Sequence, residues 1–360
     1  MIARSGKPPA RHGKVSIKDI AKVAGVSHST VSRALRHSLH VRPDTTARIR
    51  ALADEMGYSP DAAARSLAVG RTQTVGIVAT TITDPFIAEV VRGIESTAYA
   101  GGYSVILASS DAEPERELAS VEMLRSKRVD AVIVTSSRIG SCYRDHLEKI
   151  GVPVVLLNSH REGQGQYTYS VRVDDRQGGQ LAAEHLIRLG HQRIAYISGG
   201  ESNSTSNQRL DGYQAALERA GITFDPGLVV PGTGRLTSGE QALPVLLALP
   251  SQPSAVFCYN DLTAIGLMHA ARQAGLHVPD DLSIVGFDDI PMASYVFPPL
   301  TTVAQPKFEL GQRAMLMAFE LLAPGTATDQ VKDVLLEGKL VIRCSTTSRG
   351  SGSSKDKATC

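Results

Sequence analysis

No apolar run in this chain approaches the roughly 18 residues that span a bilayer, so no transmembrane helix is expected. There are only four cysteines, Cys142, Cys258, Cys344 and Cys360, at spacings that suit neither a metal site nor a dense disulfide framework. Such usage fits a reducing compartment with buried or idle thiols. The opening MIARSGKPPARHGK is basic but lacks the apolar segment of a secretory signal, so a cytoplasmic location is expected. Catalytic signatures are missing too. The ten histidines form no HExxH-like pair, there is no GxSxG elbow, and the GTG at 232–234 is not followed by GK[ST]. No catalytic residue, metal ligand or cofactor is assigned, and the chain is not expected to be an enzyme.

What is present is an asymmetric soluble chain. Its 360 residues allow two or three domains, and its 42% hydrophobic and 21% charged content is ordinary for globular proteins. The net charge of +2 hides a division. Residues 1–71 hold 13 Lys/Arg against 5 Asp/Glu, and the remainder holds 25 against 31. A small basic head on an acidic body suits a polyanionic partner for the head alone, although an incidentally basic surface gives the same count.

Three short helices are expected in the head, after a Pro/Gly/Arg-rich tail at 1–14. Ile17, Ile20, Ala21 and Ala24 make one apolar stripe, and Gly25 allows a sharp turn. A second helix spans about His28 to Arg36, with Ser27 placed to cap it. A third begins at Pro43, carries Ile49, Leu52, Ala53 and Met56 on one face, and stops at Gly57. On the second helix, Val31, Ala34 and Leu35 face inward, while His28, Ser29, Ser32, Arg33 and Arg36 share the other side. Short polar side chains let a backbone approach DNA closely, and Arg33 has the reach for a bidentate guanine contact. A solvated amphipathic helix with a silent face reads the same way. The following SPDAAARSLAVGRTQ has no apolar face of its own and reads as a linker.

From Thr74 onward, short apolar runs at 75–79, 104–108, 131–135, 152–158, 193–198, 254–260 and 283–288 alternate with helical patterns. The helices are expected near 86–100, 113–127, 177–189, 208–220, 238–249, 261–274 and 307–323. This alternation indicates two α/β domains with parallel sheets. Ligands of such sheets bind at the strands' carboxyl ends. Asp84, Phe86, Asn158, Asn260 and Asp288 fall there, and Arg209 opens the helix after the strand at 193–198. Together they offer acceptors, donors, a rigid fork and an apolar face to a polyhydroxy ring. Asp84 and Asn260 fit helix caps equally well, and Asp288 with Asp289 fits a turn.

DIAKVAGVS, TVSRAL, the GY-P after the third helix and RSLA in the linker resemble the lactose/purine repressor (LacI/GalR) family of bacterial transcription regulators. The resemblance continues through DPF (84–86), GVPVV (151–155), LGHQRIAYISG (189–199), RLDGY (209–213), NDLTAIG (260–266), VPDDLSIVGFDD (278–289), LTTVAQ (300–305) and LVIRCST (340–346). It implies an all-α helix-turn-helix head and an α/β core of two doubly wound parallel-sheet subdomains, of periplasmic-binding-protein type I. The implied divisions are a tail at 1–14, the head at 15–60, a hinge at 61–73, the core at 74–346 and a polar tail at 347–360. Within the core, 74–173 plus 305–333 would form one subdomain, and 174–304 plus 334–346 the other. The implied partners are double-stranded operator DNA, a second copy of the chain and a sugar, sugar acid or sugar phosphate as effector, with no membrane.

The family's roles carry over residue by residue. Ser27, His28, Ser29, Thr30, Ser32, Arg33, Arg36 and His40 would face DNA, with His28 and Ser29 choosing the operator sequence. Leu67, beside Ala68, would wedge between base steps, within a hinge helix at 65–69 that forms on DNA. Arg71 fits a phosphate contact. Asp84, Phe86, Asn158, Arg209, Asn260, Asp288 and Gln305 would hold the effector. One departure stands out. The aromatic that some sugar-binding members carry near 232–239 is absent, and GTGRLTSG places Arg235 there instead, which points toward an acidic effector. The C-terminal tail has no leucine heptads, so the tetramerising helix of some members is not expected. Two other readings remain: a sugar-binding protein without DNA activity, and an enzyme on the same scaffold.

Overall fold

The computed structural model describes residues 15–35, 40–58, 70–136, 151–159, 168–200, 203–324 and 333–349. The chain divides into two compact units, Met1–Thr72 and Gln73–Cys360. In the first, α1 (Ile17–Ala24) starts with a reciprocal cap. The Ser16 hydroxyl accepts from Asp19 N–H, and the Asp19 carboxylate accepts from Ser16 N–H at 2.9 Å. Gly25 ends the helix at φ 67°, a conformation that costs glycine nothing, and turns the chain into α2 (His28–Leu35). Pro43 opens α3 (Pro43–Glu55). Ile20, Ala21, Val31, Ala34, Ile49 and Ala53 are buried together, and Leu35, Leu52 and Met56 pack around them half-exposed. The apolar faces read from the sequence thus meet in one core. The Arg48 guanidinium ties α3 to the end of α1 by donating to Ala24 O at 3.0 Å.

The second unit contains two six-stranded sheets. The first is built from β1 (Thr74–Ala79), β2 (Ser104–Ser109), β3 (Ala131–Thr135), β4 (Val154–Leu157), β5 (Thr168–Val173) and β11 (Val334–Leu336), in the order β11-β5-β4-β3-β1-β2. All its pairs are parallel. The second contains β6 (Ile194–Ile197), β7 (Val229–Val230), β8 (Ala255–Cys258), β9 (Ser283–Asp288), β10 (Thr301–Ala304) and β12 (Lys339–Val341), in the order β12-β10-β9-β8-β6-β7. Only its β10–β12 pair is antiparallel. Helices α4 (Pro85–Ala100), α5 (Pro114–Ser126) and α10 (Lys307–Leu322) cover the first sheet. Helices α6 (Asp175–Arg188), α7 (Ser204–Arg219), α8 (Leu236–Leu247) and α9 (Asp261–Gln273) cover the second. Glycines let paired helices touch: a side chain at Gly93 would strike the Phe308 carbonyl on α10, and one at Gly311 the Val90 carbonyl on α4.

Three corrections follow from this architecture. Residues 334–346 were expected in the second subdomain, yet Val334–Leu336 pairs with β5 in the first sheet, because three residues suffice to add an edge strand before the chain crosses. The polar tail was expected from 347. Thr347 and Arg349 are instead pinned, Thr347 N–H to Ser283 Oγ at 3.1 Å and Arg349 N–H to Leu189 O at 2.8 Å. The cysteines are not all idle either: Cys258 is a buried free thiol, whereas Cys344 is disulfide-bonded. Disulfides require proximity in the fold, which spacing along the chain does not reveal. Residues 1–14, Arg36, the hinge at 61–69 with Leu67 and Ala68, and 350–360 lie outside the described residues. Among the described residues no helix is long and apolar enough to cross a membrane, and no cluster of metal-ligating side chains is found.

Two histidines hold the strap that follows β12. His185 Nε2 meets Thr346 Oγ1 at 3.0 Å, and His191 Nε2 donates to Thr347 O at 3.0 Å while its Nδ1 accepts from Ser254 Oγ at 2.9 Å. Burial, reinforced by Arg188 and by His191, pushes His185 down to about 4. Burial also lowers His191, against the Thr347 bond that favours its charged form. The unfolded chain takes up these protons near pH 6.5 and the folded chain only at lower pH, so the stabilisation from His185 is complete above about pH 6.5 and is lost toward pH 4, with His191 acting in the same direction. Urea unfolding should therefore weaken over that interval, by at most about 1.4 kcal/mol per pH unit for each histidine. His185→Gln should flatten the slope, and an unchanged slope would clear His185.

Candidate DNA-reading helix and effector cleft

The first turn of α2 is organised by hydroxyls. Ser27 Oγ accepts from Thr30 N–H at 3.1 Å and lies 2.7 Å from Ser29 Oγ and 2.8 Å from Thr30 Oγ1. Short side chains occupied with one another stay close to the helix, leaving a low ridge. His28, Ser29 and Arg33 are exposed, Thr30 and Ser32 half-buried, and Val31 and Ala34 fully inward. His40 is exposed in the turn before α3. The polar face predicted for this helix is thus displayed to solvent on a domain of 3-helix type, in a form a groove floor can meet.

Both sheets of the second unit share the doubly wound order 2-1-3-4-5, with reversals between β1 and β3 and between β6 and β8. The strands' carboxyl ends from both sheets open onto one cavity of about 560 Å³. All seven residues assigned to the effector line it: Asp84 and Phe86 after β1, Asn158 after β4, Arg209 on α7, Asn260 after β8, Asp288 ending β9 and Gln305 after β10. Arg235 lines it as well.

Arg209 is the most constrained of them. It is 3% exposed, donates from Nε to Asp175 Oδ1 at 2.8 Å and from Nη1 to the Tyr259 carbonyl, and lies 3.9 Å from Asp288 Oδ1. Its guanidinium carbon sits 3.6 Å from the Phe287 ring centroid and 4.6 Å from that of Tyr259. Burial disfavours its charge, but Asp175, Tyr259 and Asp288 outweigh that and shift it upward. Asp288 is raised well above the usual carboxylate range by burial and by Asp261 and Asp84, against the opposing pull of Arg209. Burial also raises Asp84, against the Phe86 N–H bond and Arg209. Beneath them lies the fully buried Asp261, raised by burial and held by Thr302 Oγ1 and by Ile290 N–H at 2.8 Å.

Several of these residues also serve the backbone. Asp84 caps α4 through Phe86 N–H at 2.9 Å, and Asn260 caps α9 through Thr263 N–H at 2.9 Å while donating to Gly234 O. Asn158, at φ 48°, accepts Val173 N–H at 3.1 Å. Capping and cavity lining therefore coexist, because a helix cap after a parallel strand already lies at the cleft. Gln305 is different. Its Nε2 donates to Asp288 Oδ1 at 2.6 Å, which fixes the amide beside that carboxyl group in the cavity wall.

The sequence reading missed Asp111, Ser136, Thr205 and Tyr259, which also line the cavity. Ser136 and Tyr259 directly follow strands and Asp111 lies two residues after β2, so the carboxyl-end rule could have found them. Thr205 sits at the start of α7, where Asn203 Nδ2 and Thr205 Oγ1 both reach Tyr259 Oη, at 2.8 and 3.1 Å. Removing one member of a buried ion pair strands the other, at a cost of about 3–5 kcal/mol. Arg209→Ala and Asp175→Asn should each lower unfolding stability by about that amount in urea titrations, and an effect below about 1 kcal/mol would show the pair to be dispensable.

Comparison with known proteins agrees with both halves of this arrangement. Residues 16–61 match the family of bacterial regulatory proteins of lacI type, and residues 183–346 a periplasmic binding protein-like domain. The chain is 37% identical over 306 residues to the transcriptional repressor PurR of Photobacterium profundum, covering 85% of this chain and 91% of that protein. It is 37% identical over 317 residues to the ribose operon repressor of Escherichia coli K12, covering 88% and 95%. A solved structure of the lac repressor dimer, bound to operator and the anti-inducer ONPF, superposes with a TM-score of 0.83 at 30% identity, covering 93% of this chain and all of that one. A helix-turn-helix head and a two-sheet ligand-binding core in one polypeptide identify the chain as a member of the LacI family of bacterial transcription regulators.

Proposed function

We propose that this protein is a ligand-responsive repressor that binds a palindromic operator as a dimer, in the cytoplasm, and catalyses no reaction. The observation that carries the proposal is the joint presence of a polar-faced, hydroxyl-capped α2 and a cavity lined from both sheets by Asp84, Asn158, Arg209, Asn260 and Asp288. A two-fold dimer presents two copies of α2, and their operator is palindromic for the same geometric reason. Ser27, His28, Ser29, Thr30, Ser32, Arg33, Arg36 and His40 form the proposed DNA-facing set. The effector, a polyhydroxy small molecule, is held by Asp84, Phe86, Asn158, Arg209, Asn260, Asp288 and Gln305. It acts through unequal affinity for two closures of the sheets around the cavity, since equal affinity would shift nothing.

A shift assay with palindromes from the protein's own promoter region tests this reading. Specific, salt-sensitive binding that a cavity ligand alters is the expected result; none to any palindrome would favour a sugar-binding protein without DNA activity. Leu67 is proposed as the minor-groove wedge on the family resemblance alone. Leu67→Ser should cost specific operator affinity at least roughly tenfold while sparing salt-dependent nonspecific binding, and equal loss of both would refute the wedge.

For self-association, the loop after β9 supplies the surface. Tyr295 is 87% exposed and Phe297 94%, an arrangement that leaves two large rings in water unless a partner covers them. Phe297→Asp should shift sedimentation from dimer toward monomer without lowering the melting temperature of the core. A variant that remains dimeric would remove this loop from the interface.

A further inference from the structure

The cavity is polarised between its depth and its rim. Deep inside, the Asp84 and Asp288 carboxyl groups and the Asn158 and Asn260 amides line the wall, groups suited to a ligand's hydroxyls. At the rim stands Arg235, the N-cap residue of α8, whose side chain is exposed and makes no capping bond. Leu236 and Thr237 at the same helix start also line the cavity, so their end of the helix dipole adds positive potential beside the guanidinium. Arg235 already holds a carboxylate. Its Nη2 lies 3.3 Å from Asp111 Oδ1, on the loop after β2 of the opposite sheet. Asp111 has a second cation within its own lobe, with Arg116 Nη1 3.6 Å from Oδ2.

We propose that Asp111 is a built-in stand-in for the anionic group of the effector: a polyol with a carboxylate or phosphate end takes Arg235 over, and Asp111 falls back on Arg116. This deepens the effector-cleft reading and rests on it. The exchange is physically easy because the pair is solvent-exposed, and exposed pairs hold each other weakly. A ligand anchored by its hydroxyls among buried polar groups meets the same guanidinium without the side-chain entropy that Asp111 spends, so it competes favourably. Asp111 is not stranded by the exchange, since Arg116 already lies within ion-pair distance.

Isothermal titration of the full-length protein at low and physiological salt tests the exchange. The probes are five- and six-carbon aldoses, including D-ribose and D-glucose, their aldonic acids, including D-gluconate, and their phosphates, including D-ribose 5-phosphate and D-glucose 6-phosphate. An anionic probe should bind at least roughly tenfold tighter than its neutral parent, with the ratio shrinking as salt rises. The aldonate and phosphate arms tell which anion is preferred. R235Q should bring the ratio close to one without weakening the neutral parent, and D111N should tighten the anionic probe by removing its competitor. A neutral sugar that binds as tightly as its acid and phosphate, indifferent to R235Q, would overturn the exchange while leaving a sugar effector in place. Failure of every probe to bind would overturn both.

Discussion

One desolvated cation organises the ligand-binding core. Arg209 is buried beyond the reach of bulk water, and a guanidinium there is tolerable only when its charge and its N–H groups are met by fixed partners. Asp175, at the start of α6, meets one edge, the Tyr259 carbonyl another, and the rings of Phe287 and Tyr259 lie beside it. These partners come from one helix and two strand ends and Arg209 itself from α7, so the ion can be satisfied only when α6, α7, β8 and β9 are in place. The same field reaches Asp288 and Asp84 and moderates the cost of burying two more carboxylates around one cavity. Without Arg209 the acid-rich floor would repel itself. With it, the floor becomes a fixed set of polar groups.

The doubly wound order places that floor where a ligand can reach it. A parallel strand ends in a loop that must start a helix, and the helix's first N–H groups need an acceptor. Asp84 and Asn260 supply it, so the cavity inherits polar residues from the capping requirement itself. This explains why the alternative roles weighed for these residues are not exclusive. The strands feeding the site are in turn buried throughout, as in β3, β4, β6 and β8, and hold their ends at fixed spacing.

Much of this was legible in the residues. Val/Ile-rich runs marked β1 to β4, β6, β8 and β9; all of these but the edge strand β2 are covered on both faces, and such strands are largely apolar. β10 escaped that rule although it too is buried. It reads TTVA, with Thr301 and Thr302 fully inward, the Thr301 hydroxyl accepting from Arg343 N–H and the Thr302 hydroxyl donating to Asp261, groups distant in the chain. β7, β11 and β12 are edge pieces of two or three residues, too short to carry a period. In the cleft, residues directly after apolar strands were legible one by one, but their pairings were not. Nothing in the spacing joins Asp111 to Arg235, 124 positions away, or Arg209 to Asp175. Arg235 alone suggested an acidic effector; its partner turns that suggestion into a competition between the effector and the protein's own carboxylate.

The site also sits against the passages between the two sheets. The chain crosses between Val173 and Asp175, between Ala304 and Lys307, and between Leu336 and Lys339. Gln305 lies within the second passage, and two residues later Lys307 Nζ donates to the carbonyls of Asp288 and Asp289 at 2.6 and 2.7 Å. Asp174 N–H donates to Leu336 O at 2.8 Å, joining the first passage to the third. A ligand that draws on Gln305 or Asp288 therefore pulls on a segment that also fixes how one sheet leaves the other. Allostery needs only that the ligand's contacts differ between two arrangements of a bistable element. If the proposed effector does bond Gln305 or Asp288, it needs no intermediary to reach the crossover, because Gln305 belongs to that segment and Lys307 ties the segment to Asp288.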